Sequence, residues 1–371
     1  MTPRRAFFLI HLYAGLTVGA VLAVTGASGA ALVFAESLEA RLHPQRRPAA
    51  ARPGEAPAPL GAVLAAVQAH EGGASPRLLR LAAHPGAAHV AWMDGHGERL
   101  VYVDPVRAQV LDVREAHADL LGTLRALHVR LLGGERGEAV VGAFGLVLLA
   151  LSLSGLVLWW PGRRSVRKAL TVRRPLRWRR GNYDVHRLAG ALALLPLLVA
   201  GLTGSSLAFG PALTRGLVAV GLLPPPAALP PLTPRPVLAL DILFARAQAA
   251  LPGAQATRVD LPQTPGAPLR VRMRFPEELH PNGMSGVTLD AGTGAVLRAD
   301  DARKAPLAAR LLALRYPLHI GAWGGLPTRL LALLTGLTPA LLFFTGFFHW
   351  LARLRAESRV VSAVPSPRPT P

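Results

Sequence analysis

Four long apolar stretches dominate the pattern of hydrophobic and polar positions along the chain. Each reaches the roughly 20 residues that an α-helix needs to cross the hydrocarbon core of a bilayer. Trp159 and Trp160 end one stretch and Trp350 lies near the end of another, as is typical of aromatic side chains at a membrane interface. The pattern predicts four transmembrane helices, at about residues 7–34, 139–160, 188–209 and 330–351.

The two segments that separate these stretches are less apolar, and each begins with a proline-rich linker. After each linker, apolar residues recur with helical spacing, and stretches with strand-like alternation follow. The linkers cover residues 44–59 and 224–236, the helical patterns 60–69 and 238–251, and the alternating stretches 99–103 and 268–275. The pattern predicts one small α+β domain in each segment.

The distribution of basic residues orients the predicted helices. The net charge is +20, and cytoplasmic loops of membrane proteins carry an excess of Lys and Arg. Arg4 and Arg5 precede the first helix, and the chain ends with an Arg-rich segment. The densest cluster is the loop with Arg163, Arg164, Arg167, Lys168, Arg173, Arg174, Arg177, Arg179 and Arg180. Both termini are therefore predicted to be cytoplasmic, with membrane lipid as a partner. No motif indicates a nucleic-acid partner.

These signals together predict a membrane α-helical protein, a four-helix bundle with two extracytoplasmic α+β domains. The predicted order is helix 1 at 1–34, outer domain 1 at 35–138, helix 2 at 139–161, a cytoplasmic basic loop at 162–185, helix 3 at 186–210, outer domain 2 at 211–328, helix 4 at 329–352, and a disordered cytoplasmic tail at 353–371. The chain has no cysteine, which excludes disulfides, iron–sulfur clusters, thiolate metal sites and covalently attached haem.

The two halves of the chain are similar, which indicates a tandem duplication. Residues 11–34 align without a gap with residues 186–209, and the strand–turn patterns VDPVRAQVL and LDAGTGAVL pair Asp104 with Asp290. The matched positions that are not merely apolar are His11/His186, Gly15/Gly190, Gly26/Gly201, Gly29/Gly204, His128/His319, Gly145/Gly336, Gly155/Gly346 and Trp159/Trp350. Both halves start in the cytoplasm, so the pattern predicts parallel repeats related by a pseudo-twofold axis along the membrane normal.

Two pairs of histidines stand at equivalent positions of the repeats. His11 and His186 begin the first and third helices, and His128 and His319 precede the second and fourth. One such histidine alone is more simply an interfacial anchor. The duplication brings equivalent positions face to face, so each pair would place two imidazoles at one level of the bundle. Two opposed imidazoles are the axial ligands of a six-coordinate haem iron, which helix bundles hold between facing side chains.

Other residues near these histidines have two readings each. Gly15 and Gly190 lie one turn after their histidines, where a missing side chain leaves room for a porphyrin, although close helix packing explains glycine equally well. Arg130 and Arg187 would pair with haem propionates or extend to the headgroups. His349 has no histidine counterpart in the first half, and it is either a substitute axial ligand or an interfacial anchor.

The motifs resemble the PepSY-associated transmembrane family, of the siderophore-iron reductase type. They include SGLVLWWPGR at the end of the second helix, YDVHRLAG at the start of the third and the LDAGTGAVL turn, and the resemblance covers about residues 5–355. It implies PepSY-like outer domains and location in the bacterial inner membrane. It further implies two b-type haems on His11, His186, His128 and His319, and electron transfer that reduces ferric siderophores in the periplasm for iron uptake. The fourth helix departs from the pattern where FFHWLAR contains His349.

The expected partners are a ferric siderophore or other ferric chelate and a cytoplasmic or quinol electron donor. Some relatives carry a flavin reductase domain, but no dinucleotide-binding fingerprint is found in this sequence. The alternative function is a haem-free membrane scaffold or regulator whose outer domains bind peptides or restrain a periplasmic protease. A transporter would require acidic residues deep in the helices, and none of the four stretches has one.

Overall fold

The computed structural model describes residues 2–94, 99–115, 117–162, 165–171 and 178–362. The helices are α1 Pro3–Thr17, α2 Gly19–Leu32, α3 Ala35–Leu42, α4 Leu60–His70, α5 Leu120–Arg130, α6 Gly134–Trp159, α7 Val166–Ala169, α8 Trp178–Ala208, α9 Gly210–Ala219, α10 Leu240–Ala250, α11 Leu307–Ile320 and α12 Gly325–Ser362. The strands are β1 Leu78–Arg80, β2 His89–Met93, β3 Arg99–Val103, β4 Val110–Glu115, β5 Gln255–Asp260, β6 Leu269–Arg274, β7 Ser285–Leu289 and β8 Val296–Asp300.

The chain forms two compact units, each built from both halves of the sequence. The helical unit comprises Met1–Val33, Leu124–Phe209 and Leu326–Pro371. The sheet unit comprises Phe34–Thr123 and Gly210–Gly325. Of the predicted basic loop, Arg163, Arg164, Arg173, Arg174 and Arg177 lie outside the described residues.

Three helices in the described part of the chain are long and apolar enough to cross a membrane: α6, α8 and α12. The pair α1 and α2 makes a fourth candidate if it is one span. The helices begin earlier than the apolar stretches, because their first turns are polar. The last one also continues to Ser362, into the segment predicted to be a disordered tail, and residues 363–371 lie outside the described residues.

The first predicted span is bent rather than straight. The axes of α1 and α2 differ by 60° across a break at Val18. The Thr17 hydroxyl donates a hydrogen bond to the Tyr13 carbonyl at 2.8 Å, and such back-bonding bends helices. Gly19 follows, where a side chain would collide with the ring of Phe343. The break therefore lets α2 approach α12 closely.

Small residues set the helix contacts in the helical unit. A Cβ atom on Gly201 of α8 would lie 3.0 Å from the Gly145 carbonyl oxygen of α6. Helices α2 and α12 meet at Gly26 and Gly336. A Cβ atom on either glycine would collide with the carbonyl oxygen of the other. Glycine at such positions allows close van der Waals packing of membrane helices. These pairs explain glycines that the repeat had singled out.

The two outer segments, each predicted to form a small α+β domain, contribute their strands to one continuous sheet. The described strands make an eight-stranded sheet with the order β4-β3-β2-β1-β5-β6-β7-β8. The seam is the antiparallel pairing of β1 with β5, in which Leu79 lies opposite Val259. Each four-stranded half would otherwise expose the backbone groups of an edge strand, and pairing the two edges satisfies them.

Helices α4 and α10 cover one face of this sheet and share a core with it. The helices contribute Val63, Val67, Leu243 and Ala247, which are fully buried against Leu79, Val101, Val259, Val271 and Val287. The backbone N–H of Gly61 on α4 donates to the carboxylate of Asp241 on α10. The helices and strands expected at 60–69, 99–103, 238–251 and 268–275 are therefore confirmed as elements.

The duplication is visible in the turn that follows β3 and β7. The Asp104 Oδ1 atom accepts hydrogen bonds from the N–H groups two and three residues later, and Asp290 Oδ1 does the same. The fifth residue of each turn has a positive φ, 52° at Ala108 and 70° at Gly294. The aligned patterns therefore fold into the same turn.

Candidate cofactor-binding cavity

A cavity of about 680 Å³ lies among the helices of the helical unit. Its walls come from α1, α2, α6, α8 and α12, and most of the lining side chains are apolar. Pockets of this volume hold small-molecule ligands and cofactors, and they usually combine apolar walls with a few convergent polar groups. Here the polar groups include His11 and His186.

The imidazole rings of His11 and His186 lie close together in this cavity. Their ring centroids are 6.4 Å apart and their planes are nearly perpendicular, at 86°. Bonds from a metal to imidazole nitrogen are about 2 Å long. Two imidazoles bound on opposite sides of one metal therefore have centroids about 6 Å apart. The distance between the two rings matches that of a pair of axial ligands.

A hydroxyl group orients each ring. The His11 Nδ1 atom lies 3.0 Å from Ser154 Oγ, and His186 Nδ1 lies 3.0 Å from Thr345 Oγ1. Each hydroxyl donates its one hydrogen to a backbone carbonyl of its own helix, Leu151 for Ser154 and Leu341 for Thr345. The hydroxyl oxygen must then accept from Nδ1–H. Both rings are thereby held in the tautomer whose Nε2 atom is the metal-binding nitrogen.

Glycines make room beside both rings in the same way. A Cβ atom on Gly155 would lie 3.3 Å from His11 Cε1, and one on Gly346 would lie 3.3 Å from His186 Cε1. Gly15 and Gly190 also line the cavity. Added Cβ atoms there would be 4.0 Å and 3.8 Å from the nearest side-chain atoms, so these two glycines widen the cavity rather than permit close helix packing.

Cationic side chains line the cavity, and two buried donor atoms there have no acceptor in the described part of the chain. Arg4, Arg5 and Arg187 contribute to its lining. Arg187 forms an ion pair with the fully buried Asp184 at 3.3 Å. Among the described residues, Arg187 Nε and Trp159 Nε1 are buried without a hydrogen-bond acceptor. Buried donors of this kind are normally satisfied, so they fit a ligand that brings acceptor oxygens such as carboxylates.

His349 lies in the same cavity but is not paired with either facing histidine. It lines the wall, and its ring packs on Tyr183 with centroids 5.4 Å apart. Arg130, which follows His128 by two residues, forms an ion pair with Glu138 at 3.4 Å, and its role beside a propionate stays a prediction.

The second pair of histidines is divided between the two units, with His128 in the helical unit and His319 in the sheet unit. The His128 Nδ1 atom donates to the Thr25 carbonyl at 2.7 Å. Its ring packs against Gly29, where a side chain would collide with it. His319 lies in the last turn of α11, before Gly321, which ends the helix with a φ of 70°. A shared site for these two histidines stays a prediction.

The residues of the cavity fit a haem group. The ring spacing, the fixed tautomers, the glycine-lined space and the unsatisfied donors all agree with a flat cofactor that carries carboxylates. Among the described residues, no group of three or more His, Asp or Glu side chains has the arrangement of a metal site. Two histidines alone do not complete a metal's coordination, whereas a tetrapyrrole supplies the remaining ligands.

Ser154 and Thr345 were not predicted as site residues. They occupy equivalent positions of the repeat, each directly before the glycine of the pair Gly155/Gly346. Two hydroxyl residues at matched positions in apolar helices are a usable signal, because polar groups in membrane helices usually have partners. Arg4 and Arg5 were interpreted only as a topology signal, although both line the cavity.

The fold and the cavity define a membrane-associated helical protein with three or four candidate membrane helices and a separate antiparallel sheet region. The family model for the PepSY-associated TM region matches residues 8–353, essentially the whole chain. The chain therefore belongs to the PepSY-associated transmembrane family. None of the curated proteins compared with the chain matches it.

Proposed function

We propose that this protein binds b-type haem among its membrane helices and transfers electrons across the bacterial inner membrane to ferric chelates, such as ferric siderophores. In this proposal it is an oxidoreductase that serves iron uptake. Its electron donor is a cytoplasmic reductant or a quinol.

One observation carries the proposal, namely the facing pair of His11 and His186. The pair has the 6.4 Å spacing of two axial ligands, and a hydroxyl on each side fixes its tautomers. An interfacial anchor would explain one histidine, but it explains neither the opposed rings nor the matched hydroxyls. A bound haem supplies reversible one-electron exchange between ferric and ferrous iron.

The residues around the pair have separate roles in this proposal. His11 and His186 hold the iron, and Gly15 and Gly190 leave space for the macrocycle. Arg187 offers its Nε–H group to a propionate, a charge-assisted hydrogen bond. The apolar walls exclude water, which together with ligand type sets the reduction potential.

A second haem on His128 and His319 completes the proposed path to the outer side. The two histidines hold equivalent positions of the repeat, which is the support for this part. Its acceptor is a ferric complex bound at the PepSY-like region. Reduction releases the iron, because oxygen chelators bind the divalent ion less strongly than the trivalent ion.

Reconstituted vesicles test this function. With a reductant enclosed on the side of the termini, ferric siderophore added on the side of the sheet unit should yield ferrous iron. Ferrous iron is detected with a coloured chelator. His11→Ala should abolish the reaction, because it removes a ligand. His70→Ala is the matched control, since among the described residues this exposed side chain forms its one hydrogen bond with the neighbouring Glu71. Equal reduction on either face, or full activity of His11→Ala, would contradict the proposal.

A further inference from the structure

Three arginines stand side by side where the two halves of the sheet meet. In the antiparallel registers, Arg80 on β1 lies opposite Arg258 on β5, and Arg258 lies opposite Arg272 on β6. Directly opposed residues of neighbouring strands share one face of the sheet. The row therefore crosses the seam, with one arginine from the first half of the chain and two from the second.

The row is on the face of the sheet that the core helices do not cover. Leu79, Val259 and Val271 precede or follow the three arginines, and all are buried in the core beneath α4 and α10. Alternation along a strand sends the arginines to the opposite face. Arg80 is exposed there, and Arg258 and Arg272 are partly exposed.

The charges of this row are poorly balanced by the protein. Like charges that are directly opposed across strands destabilise a sheet. Arg258 has one acidic partner, Asp260, at 2.9 Å, while its Nε atom is buried with no acceptor among the described residues. Arg272 donates to the sulfur of Met284, at 3.5 Å, and the acids that interact with it at longer range are Asp260 and Glu278. Arg80 makes no ion pair in the described part of the chain, whereas the adjacent Arg270 lies directly opposite Asp260 in the register.

Arginines elsewhere on this face are neutralised. At the β3–β4 end, Arg46 forms ion pairs with Asp112 at 2.7 Å and Asp119 at 2.8 Å. Arg114 pairs with Asp119 at 3.1 Å. At the other end, Arg298 pairs with Asp300 at 2.6 Å. Because these arginines are paired with acids, the excess positive charge on this face of the sheet lies at the seam.

The environment of Arg272 agrees with an unbalanced cluster. Burial, followed by Arg258 beside it, lowers the pKa of Arg272, and the nearby Asp260 and Glu278 only partly offset this effect. An anion in contact with the row would remove this repulsion. The planar guanidinium group binds carboxylates and phosphates through paired hydrogen bonds.

We infer that the row Arg80, Arg258 and Arg272 is a binding site for an anionic ferric chelate, one whose metal-binding groups are carboxylates or catecholates. The inference rests on the proposed function for the role of the chelate, but the site itself is built from the sheet alone. It predicts that the protein prefers anionic chelates over neutral or cationic hydroxamate complexes.

Binding of a chelate that cannot be reduced tests this inference apart from the haem. The probe is gallium(III) citrate, with a neutral gallium trihydroxamate as the comparison, titrated into the purified full chain by calorimetry. Arg80→Gln and Arg272→Gln should each weaken gallium citrate binding by roughly tenfold or more, as expected for loss of a charged hydrogen bond. Added salt should weaken it further, because the patch is exposed.

Arg77→Gln is the control variant. It removes the same charge near the start of β1, from a side chain that is paired with Asp94 at 2.9 Å, and binding should not change. Failure of gallium citrate to bind, or equal binding by the wild type and the two row variants, would overturn the inference. The same would follow if the neutral complex bound equally well. Gallium binding needs no haem. Protein purified from haem-replete cells that contains no haem but still binds gallium citrate would therefore refute the proposed function and leave this site standing.

Discussion

The hydroxyls of Ser154 and Thr345 decide which nitrogen atom each facing imidazole offers to a metal. Both lie 3.0 Å from an Nδ1 atom, and both already donate to their own helix. Groups that orient metal ligands in this way raise metal affinity and fix the ligand geometry. Removal of either hydroxyl should therefore lower the affinity of the protein for haem.

Ser154→Ala and Thr345→Val should each weaken haem binding about 10- to 100-fold, the usual effect of losing a partner of a metal-bound histidine. The measurement is an optical titration of haem into protein prepared without it. Ser152→Ala is the matched control, because Ser152 lines the same cavity but donates only to the Leu148 carbonyl. Unchanged affinity in the first two variants would show that the hydroxyls do not orient the ligands.

Among the elements of the fold, the equivalent turns after β3 and β7 differ between the two copies of the repeat. The αL position is occupied by Gly294 in one turn and by Ala108 in the other. A left-handed conformation costs a residue with a Cβ atom about 1 kcal/mol. The first copy therefore has a strained position that the second does not have.

Ala108→Gly should stabilise the sheet unit by up to about 1 kcal/mol, since relief of the strain is partly offset by the greater chain entropy of glycine. Gly294→Ala should destabilise it, because a Cβ atom there would also displace the Arg246 side chain. Thermal unfolding of the purified full chain measures both. A lower unfolding temperature for Ala108→Gly would contradict the turn geometry.

Much of the element order could be predicted from local pattern. The helical spacing of apolar residues predicted α4 and α10, and the alternation of apolar and polar residues predicted β3 and β6. Both patterns arise because each element has one face in the core. Helix α8 begins at Trp178, well before its apolar stretch, since its first turns are polar and hydropathy does not detect them. The bend at Val18 depends on a hydrogen bond and on packing against Phe343, neither of which a sequence pattern displays.

At the scale of the whole molecule, the duplication accounts for both units. It predicted the pairing of His11 with His186, because symmetry brings equivalent positions together. The duplication did not predict that β1 pairs with β5, since the sequence of an edge strand does not determine which strand it pairs with. The joining of the two halves into one sheet creates the arginine row, which neither half has alone.

The cofactor content of the purified full chain shows whether the helical unit holds haem. Protein from haem-replete cells should give a b-type reduced-minus-oxidised spectrum, with haem that acid acetone extracts. His11→Ala and His186→Ala should lose the haem of the cavity and keep the other. His128→Ala and His319→Ala should do the reverse, and His349→Ala should retain both. Haem-free protein, or loss of the cavity haem in His349→Ala but not in His11→Ala, would contradict the account.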